Sequence, residues 1–414
     1  QLIEARNDKH ILSRQFTVRY ENVLTLYSEI AFDVASEIKA LITPEEKKLI
    51  QKTPTANPVA YNLYQRGRDQ FDNYLDSASE ENAERLFKKA LELDSTFALA
   101  YSGLAGIYMW KNYWKTFLTE NFMDSVLFYS NKALAYDDKC AEAYYFRGRR
   151  YYQIGKLPEC FKEFDKAIKL NPDYFKFYNH LSYILWEGCY DFVGTISNLN
   201  EEILLCSVEM LPNAYIDLGM AYISIGFPEK GKEFWEQALE LFGDSTEYLY
   251  WTIQKEYSQG NFENAYQMAK RIYKKDSVRI NYGLPWFCIM AGRDEEACYN
   301  YEKLAEKLKK SGDVDLYACQ GIGYSYWKTG RFKEAEYYFD QQIKIDMECI
   351  RLGRWNVING QAQWDLAKVY AFRGDKEKAY LYLDEVNKNK AFPLWWVTSF
   401  KYDQIGRASC RERV

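Results

Sequence analysis

The sequence predicts an all-α fold, a superhelical solenoid of about nine stacked helix pairs, and three observations predict it. A unit of 34 residues recurs from about residue 60 to residue 393, and its clearest copy is AEAYYFRGRRYYQIGKLPECFKEFDKAIKLNPDY, Ala141 to Tyr174. The chain holds 37 Tyr, 24 Phe and 11 Trp, 17% aromatic, as helix pairs packed through large flat side chains require. Its 414 residues exceed what one hydrophobic core usually serves, whereas a stack of repeats grows by adding neighbours. A hydrophobic fraction of 48% with 27% charge excludes a disordered chain. A net charge of −5 gives no bulk attraction to nucleic acid or anionic membrane.

The unit is two amphipathic helices and a turn. Tyr144, Arg147, Gly148 and Tyr151 fall at helical spacing and Gly155 ends the first helix. Cys160, Phe164 and Ala167 recur on one face of the second, which stops at Asn171-Pro172. Gly148 and Ala167 let two helices approach closely while larger neighbours fill the gap. The unit resembles the tetratricopeptide repeat (TPR), with Arg147 standing where Leu is usual.

Other copies follow in order. The first, about residues 60 to 96, has Arg66-Gly67, an insertion, then Ala83, Phe87 and Ala90; the second has Leu104-Ala105 and Tyr108, an aromatic insertion from Trp110 to Phe117, then Val126 and Ala133. In the fourth, Tyr178, Leu181 and Leu185 lead into a longer irregular stretch through Gly188 and Gly194 to Pro212. The fifth restores the pattern with Leu218-Gly219, Tyr222, Gly226, Gly231, Trp235 and Ala238, and Gly260 of the sixth lies 34 residues beyond Gly226. Gly283-Leu284-Pro285 disturbs the first helix of the seventh, Gly330 turns the eighth, and Leu366-Ala367, Tyr370, Gly374 and Ala379 form the ninth.

Before the array, alternation around Asn7-Asp8-Lys9 predicts a β-hairpin within Gln1 to Val18. Val23, Leu26, Ile30, Val34, Ile38 and Leu41 then predict one helix ending near Thr43-Pro44. The run from Gln1 to Phe71, with QLIEARNDKHILSRQF and PTANPVAYNLYQRGRDQF, resembles the end of a TolB-like α/β domain and its junction to TPRs, an arrangement of large bacterial regulators and adenylate cyclases. The expected organisation is therefore a domain remnant with a linker helix over 1–50, a linker over 51–59 and the solenoid over 60–403. The final run QIGRASCRERV, 404–414, reads as a translated sequencing-library adapter and not as native protein.

Catalytic chemistry finds no footing. There is no Walker-type phosphate loop, no H-E-x-x-H, no G-x-S-x-G and no dinucleotide fingerprint, so no catalytic residue, metal or cofactor is expected. Only His10 and His180 are present, and His180 reads as a packing or solvent-facing residue. Glu201-Glu202 and Glu295-Glu296, adjacent on helices, read as solvated faces. The nine cysteines stand singly, which suits reduced thiols and tilts the expectation towards the cytoplasm, or the periplasm should a membrane span precede this region.

The TPR resemblance implies that positions five, nine, twelve and thirteen of each repeat face an inner groove. Carried onto this chain, they give Tyr64, Arg68 and Phe71 in the first repeat and Tyr145, Arg149 and Tyr152 in the third. The fourth contributes Asn179, Tyr183 and Trp186, and the eighth Gln320, Tyr324 and Trp327. Two readings stay open: these aromatics form a pocket, or they pack against neighbouring helices. Arg68 and Arg149, each beside a tyrosine, either meet an acidic partner segment or pair with acidic neighbours on the next helix. The function expected is a non-catalytic protein-interaction or sensing module of a bacterial signalling or transcriptional regulator, which binds a protein or peptide, touches no nucleic acid directly and contains no membrane span. The alternative is a structural arm that builds a homodimer for an upstream DNA-binding or cyclase domain.

Overall fold

The computed structural model describes residues 2–4, 9–12, 23–72, 77–114, 122–189, 191–242, 249, 252–253, 255–257, 260–275, 283–311, 318–354, 357 and 360–388. The expected hairpin is present: β1 (Leu2–Glu4) pairs antiparallel with β2 (Lys9–Leu12), Leu2 opposite Leu12 and Glu4 opposite Lys9. The long helix predicted after it is two. α1 (Val23–Glu37) stops short, Lys39 takes a left-handed φ of 56°, and α2 runs Pro44–Ile50. Ile38 and Leu41, predicted on the apolar face, are exposed because the chain has already left the helix.

From residue 58 onward the chain forms successive helical hairpins, and the whole chain divides into two compact units, the first of which begins at Gln1. The first unit holds three. α3 (Pro58–Asp72) packs on α4 (Ser77–Leu93), followed by α5 (Ala98–Trp114) with α6 (Phe122–Tyr136) and α7 (Ala141–Gln153) with α8 (Leu157–Leu170). Asn57 caps α3, its Oδ1 accepting from the N–H groups of Val59 and Ala60 at 3.0 and 3.1 Å. The first hairpin's core is Tyr64, Phe87, Phe97 and Leu104 around Ala60, Ala83 and Ala90. Phe87 explains the small residues of the pattern: a Cβ on Gly67 or on Gly103 would come within 2.8 Å of its ring. Ala167 on α8 is wholly buried. Ala167→Trp is accordingly expected to overfill this core and cost ~1–3 kcal/mol; an unchanged melting midpoint would contradict that packing.

The second unit carries the remaining hairpins. α9 (Phe175–Ile184) runs into a π-helical turn, Leu185–Cys189, and pairs with α10 (Phe192–Leu205). The irregular stretch predicted between Gly188 and Pro212 is therefore largely a regular helix. Asp191 caps it, its carboxylate accepting from the Gly194 N–H at 2.9 Å, so Gly194 sits in a first turn and breaks nothing. α11 (Leu211–Ser224) crosses α12 (Pro228–Phe242) at a glycine pair, where a Cβ on Gly231 would lie 2.4 Å from the Gly219 carbonyl oxygen. The sixth hairpin ends in α13 (Phe262–Lys275). The seventh pairs α14 (Gly283–Met290) with α15 (Asp294–Ser311), and Pro285 is accommodated because α14 begins only at Gly283. α16 (Ala318–Lys328) with α17 (Phe332–Leu352) and α18 (Gln361–Phe372) with α19 (Lys376–Lys388) complete the unit. These are the stacked helix pairs that the repeat pattern predicts, and the all-α class holds. Residues 404–414, read as an adapter-derived tail, lie outside the described residues.

Candidate functional site

The sequence-predicted groove residues separate by unit. In the first, Tyr64 is buried, its ring 5.2 Å from that of Phe97 and 5.7 Å from that of Phe87. Its hydroxyl accepts from Arg68 Nη1 at 3.1 Å, one helical turn on. Arg68 also donates through Nε to Asp72 at 3.3 Å and lies 3.5 Å from the Glu142 carboxylate. Its charge is thus shared by Asp72 of its own helix and Glu142 of α7, whereas the sequence reading places such acids on the next helix. The third repeat copies the tyrosine–arginine pair: Arg149 Nη1 donates to the Tyr145 hydroxyl at 2.9 Å, and Tyr145 is buried edge-on against Phe164. Phe71 is half-buried at the rim of the first core.

A cleft of about 500 Å³ lies in the same unit between the linker Lys52–Asn57 and the ends of α4 and α6. Its polar groups are already engaged, Thr55 donating to Asp94 and Lys52 pairing with Asp137.

The second unit brings together what the sequence named only in part. Asn179, Tyr183 and Trp186 fall four and three residues apart along α9 and its π turn. Gly188 of that turn receives Tyr152, whose ring leaves 2.8 Å for a Cβ there, so Tyr152 packs against the fourth repeat instead of lining open space. Asn179 Nδ2 lies 2.9 Å from each carboxylate oxygen of Glu202 on α10 and donates to them. The Tyr183 hydroxyl donates to Asp217 Oδ2 on α11 at 2.8 Å. Trp186 is buried among Leu199 and Leu218, and its indole N–H has no acceptor among the described residues. Glu202, read from sequence as solvated, is only 2% exposed, because α10 turns it inward onto Asn179. Burial pushes its carboxyl up to about 7, against the Asn179 bonds and with the negative charge of Asp217 adding to the rise. Burial likewise pushes Asp217 up to about 6 against the Tyr183 bond.

The eighth repeat places Tyr324 in the core and Trp327 at its edge, 36% exposed, both rings against Phe372 of α18 at 5.0 and 5.5 Å. Gln320 joins a buried polar chain that sequence reasoning missed. Lys368 Nζ donates to Gln320 Oε1 at 3.1 Å and pairs with Asp365 at 2.9 Å; Gln361 donates to Asp365 and Gln342 donates to Asp346. The available signal was polar residues four apart, Gln342 with Asp346 and Gln361 with Asp365, on helix faces that otherwise read as apolar. Of the predicted groove residues, Tyr64, Tyr145, Trp186 and Tyr324 are thus packed between helices, while Tyr183, 38% exposed, and Trp327 remain accessible.

Elsewhere, six of the eight described cysteines are buried and none is in a disulfide. His180 Nδ1 lies 2.9 Å from the Lys176 carbonyl of its own helix. Among the described residues no group of His, Cys, Asp and Glu is placed to hold a metal ion, and no helix is long and apolar enough to cross a membrane.

Residues 141–174 and 316–348 match models of the tetratricopeptide repeat, covering the third and eighth hairpins. No curated protein matches the chain. Among solved structures the chain is similar to a thermophilic TPR protein of Thermus thermophilus at 16% identity, over 46% of this chain and 94% of that one, with a TM-score of 0.37. It is similar to YrrB, described as a TPR protein with an unusual peptide-binding site, at 18% identity over 51% of this chain and 98% of that one, with a TM-score of 0.32. Human IFIT1, solved as a dimer with m7Gppp-AAAA, aligns at 14% identity over 88% of this chain and 77% of that one, with a TM-score of 0.42.

Proposed function

We propose that the array is a non-catalytic protein-interaction module that holds a partner segment against the first helices of its repeats. The observation that carries this reading is the pairing of an accessible aromatic with fixed hydrogen-bonding groups at one helix position. Tyr183 stands beside Asn179, Glu202 and Asp217, and Trp327 stands on the helix that holds Gln320. Aromatic anchors supply most of the affinity in such contacts, and polar groups fix register. The resemblance of Gln1 to Phe71 to a TolB-like junction supports the wider role, a sensing or recruiting arm of a bacterial regulator. An acidic segment remains the reading for the first unit. There Arg149 stacks over Tyr145 at 5.6 Å, while Arg68 has less to offer because Asp72 and Glu142 share its charge.

The test is recovery of a partner by cross-linking pull-down, then titration of variants against it. Tyr183→Ala with Trp327→Ala is expected to weaken binding at least tenfold, about 1.4 kcal/mol, with the melting curve retained. Arg68→Ala is expected to change it far less. Equal binding by the aromatic double variant, with a dimer in solution that the same changes leave intact, would replace this reading with that of a structural, dimer-building arm.

A further inference from the structure

We propose that Asn179, Tyr183, Glu202 and Asp217 form a receptor for a basic side chain, a lysine or arginine carried by the partner segment. The proposal rests on the interaction-module reading above and names the chemistry of what one of its subsites takes.

Three helices converge here with a charge imbalance that no described residue repairs. α10 supplies Glu202, nearly wholly buried, and α11 supplies Asp217, half-buried and close enough for its charge to act on Glu202. α9 faces both with neutral groups only, Asn179 and the Tyr183 hydroxyl. No lysine or arginine among the described residues forms an ion pair with either acid, whereas three other buried acids, Glu84, Glu163 and Asp365, each have one, from Lys111, Arg147 and Lys368, and buried Asp346 feels the charge of Lys368. A buried carboxylate pair without a cation is costly when ionised. Those three acids show how the chain answers that cost with a cation of its own. At this place it answers with one amide and one phenol, and leaves the charge to be met from outside.

A second feature points the same way. Trp186, 4% exposed, lies three residues beyond Tyr183 on the side of the helix that Asn179 and Tyr183 occupy, and its indole N–H is without an acceptor among the described residues. A free ammonium ion would satisfy the acids and leave that donor unmet. A peptide brings both a cation and a backbone carbonyl oxygen. Tyr183 adds the remaining element, an exposed ring beside the acids on which an ammonium or guanidinium can lie while it pairs with Asp217. Arrival of the cation lowers the cost of ionising both acids, so binding releases protons and strengthens as pH rises from about 5 to about 8, through the values burial imposes on Asp217 and Glu202.

The experiment uses the full chain and fluorescein-labelled, end-blocked nonapeptides identical except for Lys, Arg, Gln or Glu at three alternate positions, followed by anisotropy at pH 5, 6, 7 and 8. Preference for the Lys or Arg peptides, tighter binding towards pH 8, and at least tenfold loss with Asp217→Asn or Glu202→Gln at an unchanged melting point are the results expected. Should Glu202→Gln unfold the chain, Asp217→Asn, at the partly open position, with the pH profile decides instead. Lys and Arg peptides bound equally by both variants would overturn the proposal, as would preference for the Glu peptides or binding independent of pH. None of those three results touches the interaction-module reading, which fails separately if the recovered partner is indifferent to Tyr183→Ala with Trp327→Ala.

Discussion

Replacing Arg147 with leucine, the residue usual at that repeat position, is expected to destabilise the third helical pair by about 3–5 kcal/mol, although it restores the common pattern. Arg147 sits on α7 facing α8, and its Nε and Nη2 donate to one oxygen of Glu163 at 2.9 and 2.8 Å while Nη1 donates to Asn131 at 3.0 Å. The Tyr144 ring lies 5.3 Å from the guanidinium carbon. The Glu163 side chain is only 8% exposed, so leucine would leave a carboxylate in the helix crossing with neither water nor partner. Removing the acid as well should recover most of the loss, because two apolar residues of similar volume fill such a site about as well as the ion pair does. Long repeat arrays need not unfold all at once, so the measurement is hydrogen-exchange protection of α7 and α8 amides across the double-mutant cycle with Glu163→Leu. Full protection in the single Arg147→Leu variant would show that this pair does not hold the crossing.

That same position marks how far the sequence speaks. The departure from Leu at Arg147 is visible in the chain, but its compensation lies sixteen residues on, at Glu163, and nothing in local spacing ties the two. Punctuation is local and reads well. Gly226 and Gly260, 34 residues apart, both take positive φ, 90° and 82°, in the turn between two helices of a hairpin, where a side chain would be strained. The hidden elements share a cause. α10 lacks the small-and-aromatic signature of its counterparts because its inward face is spent on Thr195, Leu199 and Glu202, and its partner groups come from α9 and α11. Groove positions carried over by resemblance fall on or just after the first helices of their hairpins. They cannot say which side chains stay accessible, because Tyr64 and Tyr145 are drawn into the core by Phe87 and Phe164, contacts made between helices and not along one.

The buried chain between α17 and α18 makes the second large prediction, and its size depends on pH. Lys368, its side chain 9% exposed, is 2.9 Å from Asp365, whose side chain is 5% exposed, and Lys368→Met leaves that carboxylate buried with no cation, at a cost of about 3–5 kcal/mol near neutrality. Asp346 stands beside them, with one oxygen accepting from Gln342 at 3.0 Å and the other without a hydrogen-bond donor among the described residues. Burial first, and then the negative charge of Asp365, hold Asp346 well above the usual carboxylate range, against the pull of Gln342 and Lys368. A folded chain that keeps this proton while the unfolded chain has released it binds more protons in the native state. Stability from this group is therefore complete below the unfolded value of about 4 and declines as pH rises from there towards the folded value. Asp346→Asn keeps the Gln342 contact in an uncharged form, and is expected to flatten the decline and to equal or exceed the parent in stability at pH 8. The loss caused by Lys368→Met is expected to shrink in acid, where Asp346 keeps its proton and one negative charge fewer needs the missing cation, and to grow towards pH 8. Protection of α17 and α18 amides measured at pH 5 and pH 8 separates the cases: an equal loss at both would mean that Lys368 acts by packing its methylene chain and not by holding charge.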